Sequence, residues 1–400
     1  MRSKKISVLD IGDSKITCLV GEVTRGNFEI IGHGITPAIG FQKGDVIDLE
    51  AASRSVIAAI LTAENMADFR INSVYTGIAG SQVSYYRKSV AIPLNGNTYQ
   101  ITKSDVERVI KAVGQVGVPS NRKIIHPLPV DYIVGDRSGI SNPIGMSGNR
   151  LGVIANLITV MSDTLQNYNR ILEKAGLNVE SCIPVYQMLA ESFAVLGDEE
   201  KKKGVLLLDI GAEVTQLSFF YNEWLMDADY IMVGAESISR DLASVYRITY
   251  PEAEKIKKEN GYAFSGAISE EIPVRLSNST VSNLEISRVI EARLRDIIDW
   301  VKEKLDTYRT ESKMPESVII SGGGSQIRGI VALMGRELEL PVRLAVSSGL
   351  KGPAGLLENP GFHSALGLLF FGKIDRKKSG GSGIASLFTR IKKAIDRGFL

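Results

Sequence analysis

A short strand that ends in Leu-Asp-Ile-Gly and doubles straight back occurs twice in this chain, at Leu9 to Gly12 and at Leu208 to Gly211. The copies lie 199 positions apart. Alternating strands follow both, with Ile16, Cys18 and Val20 after the first and Val214, Leu217 and Phe219 after the second. One such hairpin is an ordinary glycine turn. Two of them, each opening one half of the chain, predict a duplicated α/β architecture with a ligand between the halves. The glycine lets the backbone approach a phosphate while N–H groups face inward as donors. An aspartate at the strand end holds Mg2+ through water, because that ion keeps much of its hydration shell. Asp10, Gly12, Asp13, Ser14 and Lys15 make up the first loop, and Asp209 and Gly211 the second. Lys15 supplies a positive charge for phosphate.

A third glycine feature follows the apolar strand Ser317 to Ser321, where Gly322, Gly323 and Gly324 precede Gln326. A triple glycine there predicts close backbone approach to a flat ligand, with a helix starting at Gln326 and its N-terminus nearby. The rest of the chain reads in the same alternation. The first half shows a helix at Leu49 to Met66, a strand at Ser73 to Ile78 and a helix at Tyr186 to Leu196. The second shows helices at Ala235 to Val245, Pro251 to Asn260 and Leu284 to Tyr308. Residues Val83 to Met161 break this rhythm, with strands near Val90 and Ile124 and a helix at Ser104 to Ala112. They read as an inserted subdomain. The charged run Asp198 to Lys203 reads as a solvated connection between the halves.

Four hundred residues exceed what one core usually organises, and 44% hydrophobic with 23% charged residues is the balance of a folded soluble chain. No apolar run reaches the ~18 residues of a membrane span. The basic start MRSKKISVLDIG loses its apolar stretch to Asp10, so it does not read as a signal peptide. Cys18 and Cys182 sit in apolar stretches, and His33, His126 and His363 are scattered. Neither type predicts a metal cluster, and the cytoplasm is the expected compartment.

The charge is uneven. Of 47 basic and 45 acidic residues, eight and two fall between Lys373 and Leu400. The tail therefore carries +6 and the remainder −4, so attraction to an anionic surface resides in the tail. No motif for reading nucleic acid is present, and nucleic acid is not expected as a partner. On a helical wheel of Ile384 to Leu400, Ile384, Leu387, Phe388, Ile391, Ala394, Ile395 and Phe399 share one face. Arg390, Lys392, Lys393, Asp396 and Arg397 fall on the other. Such a helix is expected to lie on an anionic bilayer, with each basic residue contributing ~1 kcal/mol. The Gly/Ser-rich stretch before it, 374–383, reads as a flexible linker. One weak anchor per subunit becomes firm when subunits polymerise.

These loops resemble the two phosphate loops and the adenosine loop of the actin/Hsp70/sugar-kinase superfamily. Met188 to Leu196 and His363 to Gly372 resemble its two connecting helices. Within that superfamily the chain is similar over nearly its whole length to the FtsA family of bacterial cell-division proteins. The segments that carry this are Leu19 to Glu22, His126 to Tyr132, Gly139 to Gly148, Ala253 to Gly261 and Ala365 to Leu369. The second and third look like the subdomain called 1C of that family. The resemblance implies an actin-like two-lobed ATPase fold with an inserted 1C subdomain and a C-terminal amphipathic helix. Its divisions would be 1–82, 162–197 and 355–373 for subdomain 1A; 83–161 for 1C; 198–233 and 309–354 for 2A; 234–308 for 2B; and 384–400 for the membrane helix.

It further implies ATP and Mg2+ in the cleft, with Gly322, Gly323, Gly324 and Gln326 flanking the adenosine and Glu254 and Lys257 approaching from 2B. Implied partners are the C-terminal tail of FtsZ docked on 2B, further copies of the chain in filaments, the membrane and other division proteins. The implied location is the cytoplasmic face of the cell membrane at the division site. The chain departs from the family pattern after the second Asp-Ile-Gly, where Ala212, Glu213 and Val214 replace Gly and Thr and Gln216 replaces an acid. A carboxylate ~4 Å from a phosphate charge costs on the order of 4 kcal/mol at an effective dielectric of 20. Hydrolysis is therefore expected to be weak or absent, and no residue is assigned a catalytic role.

Overall fold

The computed structural model describes residues 4–24, 27–94, 100–310 and 312–376. The linker expected at 374–383 begins instead as helix through Arg376, because Ile374 packs into the core; its remainder and the expected amphipathic helix Ile384 to Leu400 lie outside these residues.

Two five-stranded sheets have the same plan. In the first, Lys4–Ile11 pairs antiparallel with Lys15–Thr24, which pairs with Asn27–Pro37. On its other side Lys4–Ile11 runs parallel to Tyr75–Ile78, which runs parallel to Ile183–Tyr186. In the second, Val205–Ile210 heads the same arrangement, with Thr215–Tyr221 and Trp224–Ile231 antiparallel on one side and Ser317–Ser321 and Val342–Leu344 parallel on the other. The repeated Leu-Asp-Ile-Gly thus marks the central strand of each sheet. Val205 to Leu208 is a continuous apolar run because both faces of the strand are covered. Val205 and Leu207 join the core of the first lobe, while Leu206, Leu208 and Ile210 join that of the second.

The lobes meet at two crossing helices, Gln187–Val195 and His363–Arg376. All nine residues of the first are buried. The crossing is close because position 367 is glycine: a Cβ there would stand 2.4 Å from the Ala190 carbonyl oxygen and 2.5 Å from Glu191 Cα. The run Asp198 to Lys203 is a short helix, Asp198–Lys203, exposed or half-exposed at every position except Lys201. Lys201 is 2% exposed, and its Nζ lies 4.7 Å from the centre of the Phe193 ring. Its long apolar stem makes that burial possible.

Residues of the irregular region form a separate antiparallel sheet ordered Val83–Pro93, Arg150–Met161, Arg122–Val134, Arg137–Ile140. The helix Lys103–Val113, with a capping box between Thr102 and Asp105, lays Val106, Val109, Ile110 and Val113 on a core with Leu151, Val153 and Leu157. This insert also touches the outermost strand of the second lobe. Asn156 Nδ2 donates to the Leu225 carbonyl at 2.8 Å, and the Tyr85 hydroxyl donates to that of Met226. The carbonyls turn outward at a register shift between Phe219 and Phe220 on the partner strand.

The second lobe is completed by helices Ala235–Tyr246, Tyr250–Asn260 and Asn283–Thr310. The expected helix at Gln326 is different: Gly323–Gln326 is a single 3-10 turn, and the α-helix runs Ile330–Leu338. Gly329 at φ 82° separates them, since a left-handed residue interrupts the helical path.

Candidate functional site

Both hairpins close with the same backbone bond. Gly12 N donates to Lys15 O at 3.1 Å, and Gly211 N to Val214 O at 3.0 Å. Because their strands are central in their sheets, both turns open into one cleft of about 690 Å³ between the lobes. Asp10, Gly12, Asp13, Ser14, Lys15, Asp209, Gly211, Glu254, Lys257, Gly322, Gly323, Gly324 and Gln326 all line it.

The floor of the cleft is electrostatically loaded. Burial raises Asp10 to about 6, against an opposing hydrogen bond from Gln187 Nε2 and the charge of Lys15. Burial, and next the charge of Asp10, also push the Asp209 carboxyl up, opposed by Lys15 and the Ser364 hydroxyl. Lys15 lies between these two carboxylates in effect: burial lowers its ammonium, and Asp10 and Asp209 hold it up. Its Nζ stands 4.1 Å over the Phe362 ring. One buried and one half-buried acid with one cation leave excess negative charge, which is the environment a divalent cation relieves. Burial likewise raises Asp13 to about 6, although the Gly44 amide donates to its Oδ1 at 2.6 Å.

The Gly322 turn abuts the second aspartate. Gly322 has φ 79° and ψ 167°, and a Cβ on it would lie 2.1 Å from Asp209 Oδ1. Only glycine fits there. Gln326 Nε2 donates to Gly323 O at 3.3 Å and to Asn359 Oδ1 at 3.4 Å. On the opposite wall, Lys257 is 6% exposed and donates to Glu254 at 2.6 Å and to Ala235 O at 2.8 Å. Burial raises the Glu254 carboxyl, but hydrogen bonds from Lys257, Ser239 and Lys258 outweigh it and hold the group below the usual carboxylate range.

The sequence missed several lining residues: Gln187, Tyr250, Lys258, Arg328, Asn359, Gly361 and Ser364. A glutamine inside the apolar run Tyr186 to Leu189 was a readable signal for the first. Glu213 behaves differently from the expectation that it faces phosphate. It does not line the cleft, is 7% exposed, and accepts from Arg240 at 2.6 Å and from the Lys43 amide at 2.8 Å. Arg240 neutralises the charge that was expected to repel phosphate.

Comparison with known proteins gives a consistent answer. The family model "SHS2 domain inserted in FTSA" matches residues 80–159, and "Cell division protein FtsA" matches residues 206–367. The chain is 30% identical to the cell division protein FtsA of Pseudomonas aeruginosa, covering 92% of this chain and 89% of that one. It is 31% identical to FtsA of Bacillus subtilis, covering 91% and 82%. Among solved structures, a chain of the PilM-PilN type IV pilus biogenesis complex superposes with a TM-score of 0.64 at 18% identity, covering 92% of this chain and 98% of that one. MreB5 of Spiroplasma citri bound to ADP gives 0.54 at 15% identity, covering 94% and 98%. These two likenesses establish an actin-like fold.

Proposed function

Because this chain belongs to the FtsA family of cell-division proteins, we propose that it binds ATP with Mg2+ in the interlobe cleft and tethers FtsZ filaments to the cytoplasmic membrane. The observation that carries the nucleotide part is the convergence of both Asp-headed hairpins and the Gly322 turn on one cleft. The amides of the two hairpins and Lys15 suit the phosphates. The Gly322–Gly324 turn with Gln326 suits the adenosine, and Glu254 and Lys257 face it from the other wall.

The residues fit a hydrated divalent cation. Asp10 is buried and Asp209 half-buried, the charge of Asp10 raises the proton affinity of Asp209, and both act on Lys15. Two carboxylates suit an ion that keeps much of its hydration shell and is held through water. The ion would neutralise phosphate charge there.

The tether is the tail beyond Arg376, with its basic and apolar helical faces from Ile384 to Leu400. No described helix is long and apolar enough to cross a membrane. Self-assembly would multiply weak anchors into a firm attachment, and FtsZ would dock through its C-terminal tail on the helical part of the second lobe. The test is flotation with anionic liposomes and FtsZ, comparing the full chain with one ending at Gly383. The reading expects the full chain to carry FtsZ to the vesicles and the shortened chain to leave both in solution. Flotation of the full chain without FtsZ refutes the partner, and no flotation of either refutes the anchor.

A further inference from the structure

Two consecutive backbone N–H groups, of Lys43 and Gly44, point at carboxylates from the two phosphate hairpins. Lys43 N donates to Glu213 at 2.8 Å and Gly44 N to Asp13 at 2.6 Å. Both donors have positive φ, 52° and 77°. Successive amides in such a turn make an anion-binding concavity. Here its two anions come from the protein itself, one from each half of the chain. The Tyr168 hydroxyl fixes the turn by donating to Gly44 O at 3.1 Å. Beside it, Gln216 Oε1 accepts the Gly80 amide at 3.1 Å. Glu213 and Gln216 are each 7% exposed. Both bonds run from the second lobe to the first, and Gly44, Gly80 and Gln216 form part of the cleft wall.

We propose that the Lys43–Gly44 turn, Glu213 and Gln216 form a clasp that holds the two lobes together over the cleft and sets the rate at which a bound nucleotide leaves. This rests on the reading that the cleft holds a nucleotide. A ligand enclosed between two lobes leaves only when they part, so bonds that join the lobes at the rim govern release more than they govern contact with the ligand. Arg240 holds the Glu213 carboxylate in place from the helix Ala235–Tyr246, and the clasp therefore joins three segments far apart in the chain.

The test uses the full chain loaded with a fluorescent N-methylanthraniloyl ATP and chased with unlabelled ATP. The double variant Glu213→Ala, Gln216→Ala should release the analogue at least tenfold faster than the parent. Release within twofold of the parent overturns the clasp. Glu213→Gln keeps an acceptor for Lys43 but loses the charge facing Arg240. It should release about threefold faster, and it carries the comparison if the double variant does not fold; an unchanged rate again overturns the proposal. If the parent fails to bind the analogue, the nucleotide reading falls on its own. The clasp is then decided by hydrogen exchange of the Lys43 and Gly80 amides in nucleotide-free protein. Protection that Glu213→Gln weakens at Lys43 supports it, and unprotected amides in the parent overturn it.

Discussion

Replacing Gly322 by alanine is the most direct test of how the second phosphate hairpin and the glycine turn are fitted together. With φ 79° and ψ 167° this residue occupies a region open in practice to glycine alone, so a side chain costs about 1–3 kcal/mol in backbone strain. The new Cβ would also lie 2.1 Å from Asp209 Oδ1 and 2.5 Å from the Ile210 carbonyl oxygen. The carboxylate can swing, but Ile210 ends a strand paired on both sides and cannot. Overpacking of this kind adds about 1–3 kcal/mol. The sum, about 2–6 kcal/mol, corresponds at its middle value to roughly 10 °C in the melting of a lobe this size. Gly323→Ala is the internal control. No atom lies within 4 Å of a Cβ at that position, so its melting should stay within about 2 °C of the parent. Calorimetry of the nucleotide-free protein compares the two. If Gly322→Ala melts together with Gly323→Ala, the close fit between turn and aspartate is wrong.

Gly367→Ala should destabilise by several kcal/mol, because its Cβ would meet the Ala190 backbone at 2.4 Å where two buried helices cross; urea unfolding followed by far-UV circular dichroism reads this, and a midpoint equal to the parent's refutes it. Asp10→Asn should raise the melting temperature at pH 7.5 while abolishing Mg2+-dependent nucleotide binding. Since burial raises Asp10 from 3.8 to about 6, the native state holds a proton that the unfolded chain has released. Stability is therefore lost as pH rises through that window and stays lost above it, so the gain from Asn should vanish near pH 4. Lys201→Met should also stabilise at pH 7. Burial lowers Lys201 from 10.5 to about 8, so the parent should gain stability between pH 8 and 10.5 and close the gap, and a pH-independent difference would contradict this cause.

The duplicated plan was legible because each central strand ends in the same Asp-Ile-Gly, and a strand-end aspartate followed by glycine has few structural uses. The Gly322 turn was legible from its triple glycine, two of which, Gly322 and Gly324, do sit against Asp209 and Ile210 where a Cβ would not fit. What the sequence did not reveal was the far end of each contact. Glu213 read as a threat to phosphate because its neighbours in the chain are the phosphate loop, whereas its partners, Lys43 and Arg240, are brought by tertiary folding. Lys201 misled for a different reason. A run of six charged residues signals solvent, yet helical geometry turns one of every three or four inward, and a lysine stem is apolar enough to be the one. The Asn359 to Gly361 wall gave a turn signal but no hint that the turn borders a ligand. Helix starts were displaced where a single left-handed residue, Gly329, intervened.

The contact between the insert and the second lobe has a consequence for solubility. Trp224–Ile231 is the last strand of its sheet, and such a border offers unpaired peptide groups to any other extended chain. Asn156 and Tyr85 occupy the carbonyls of Leu225 and Met226, and the irregular pairing there bends the border away from straight addition. The insert thereby covers part of one of the two margins of the second sheet, the other being Val342–Leu344. A version of the chain with 83–161 removed would leave that margin bare and should aggregate more readily.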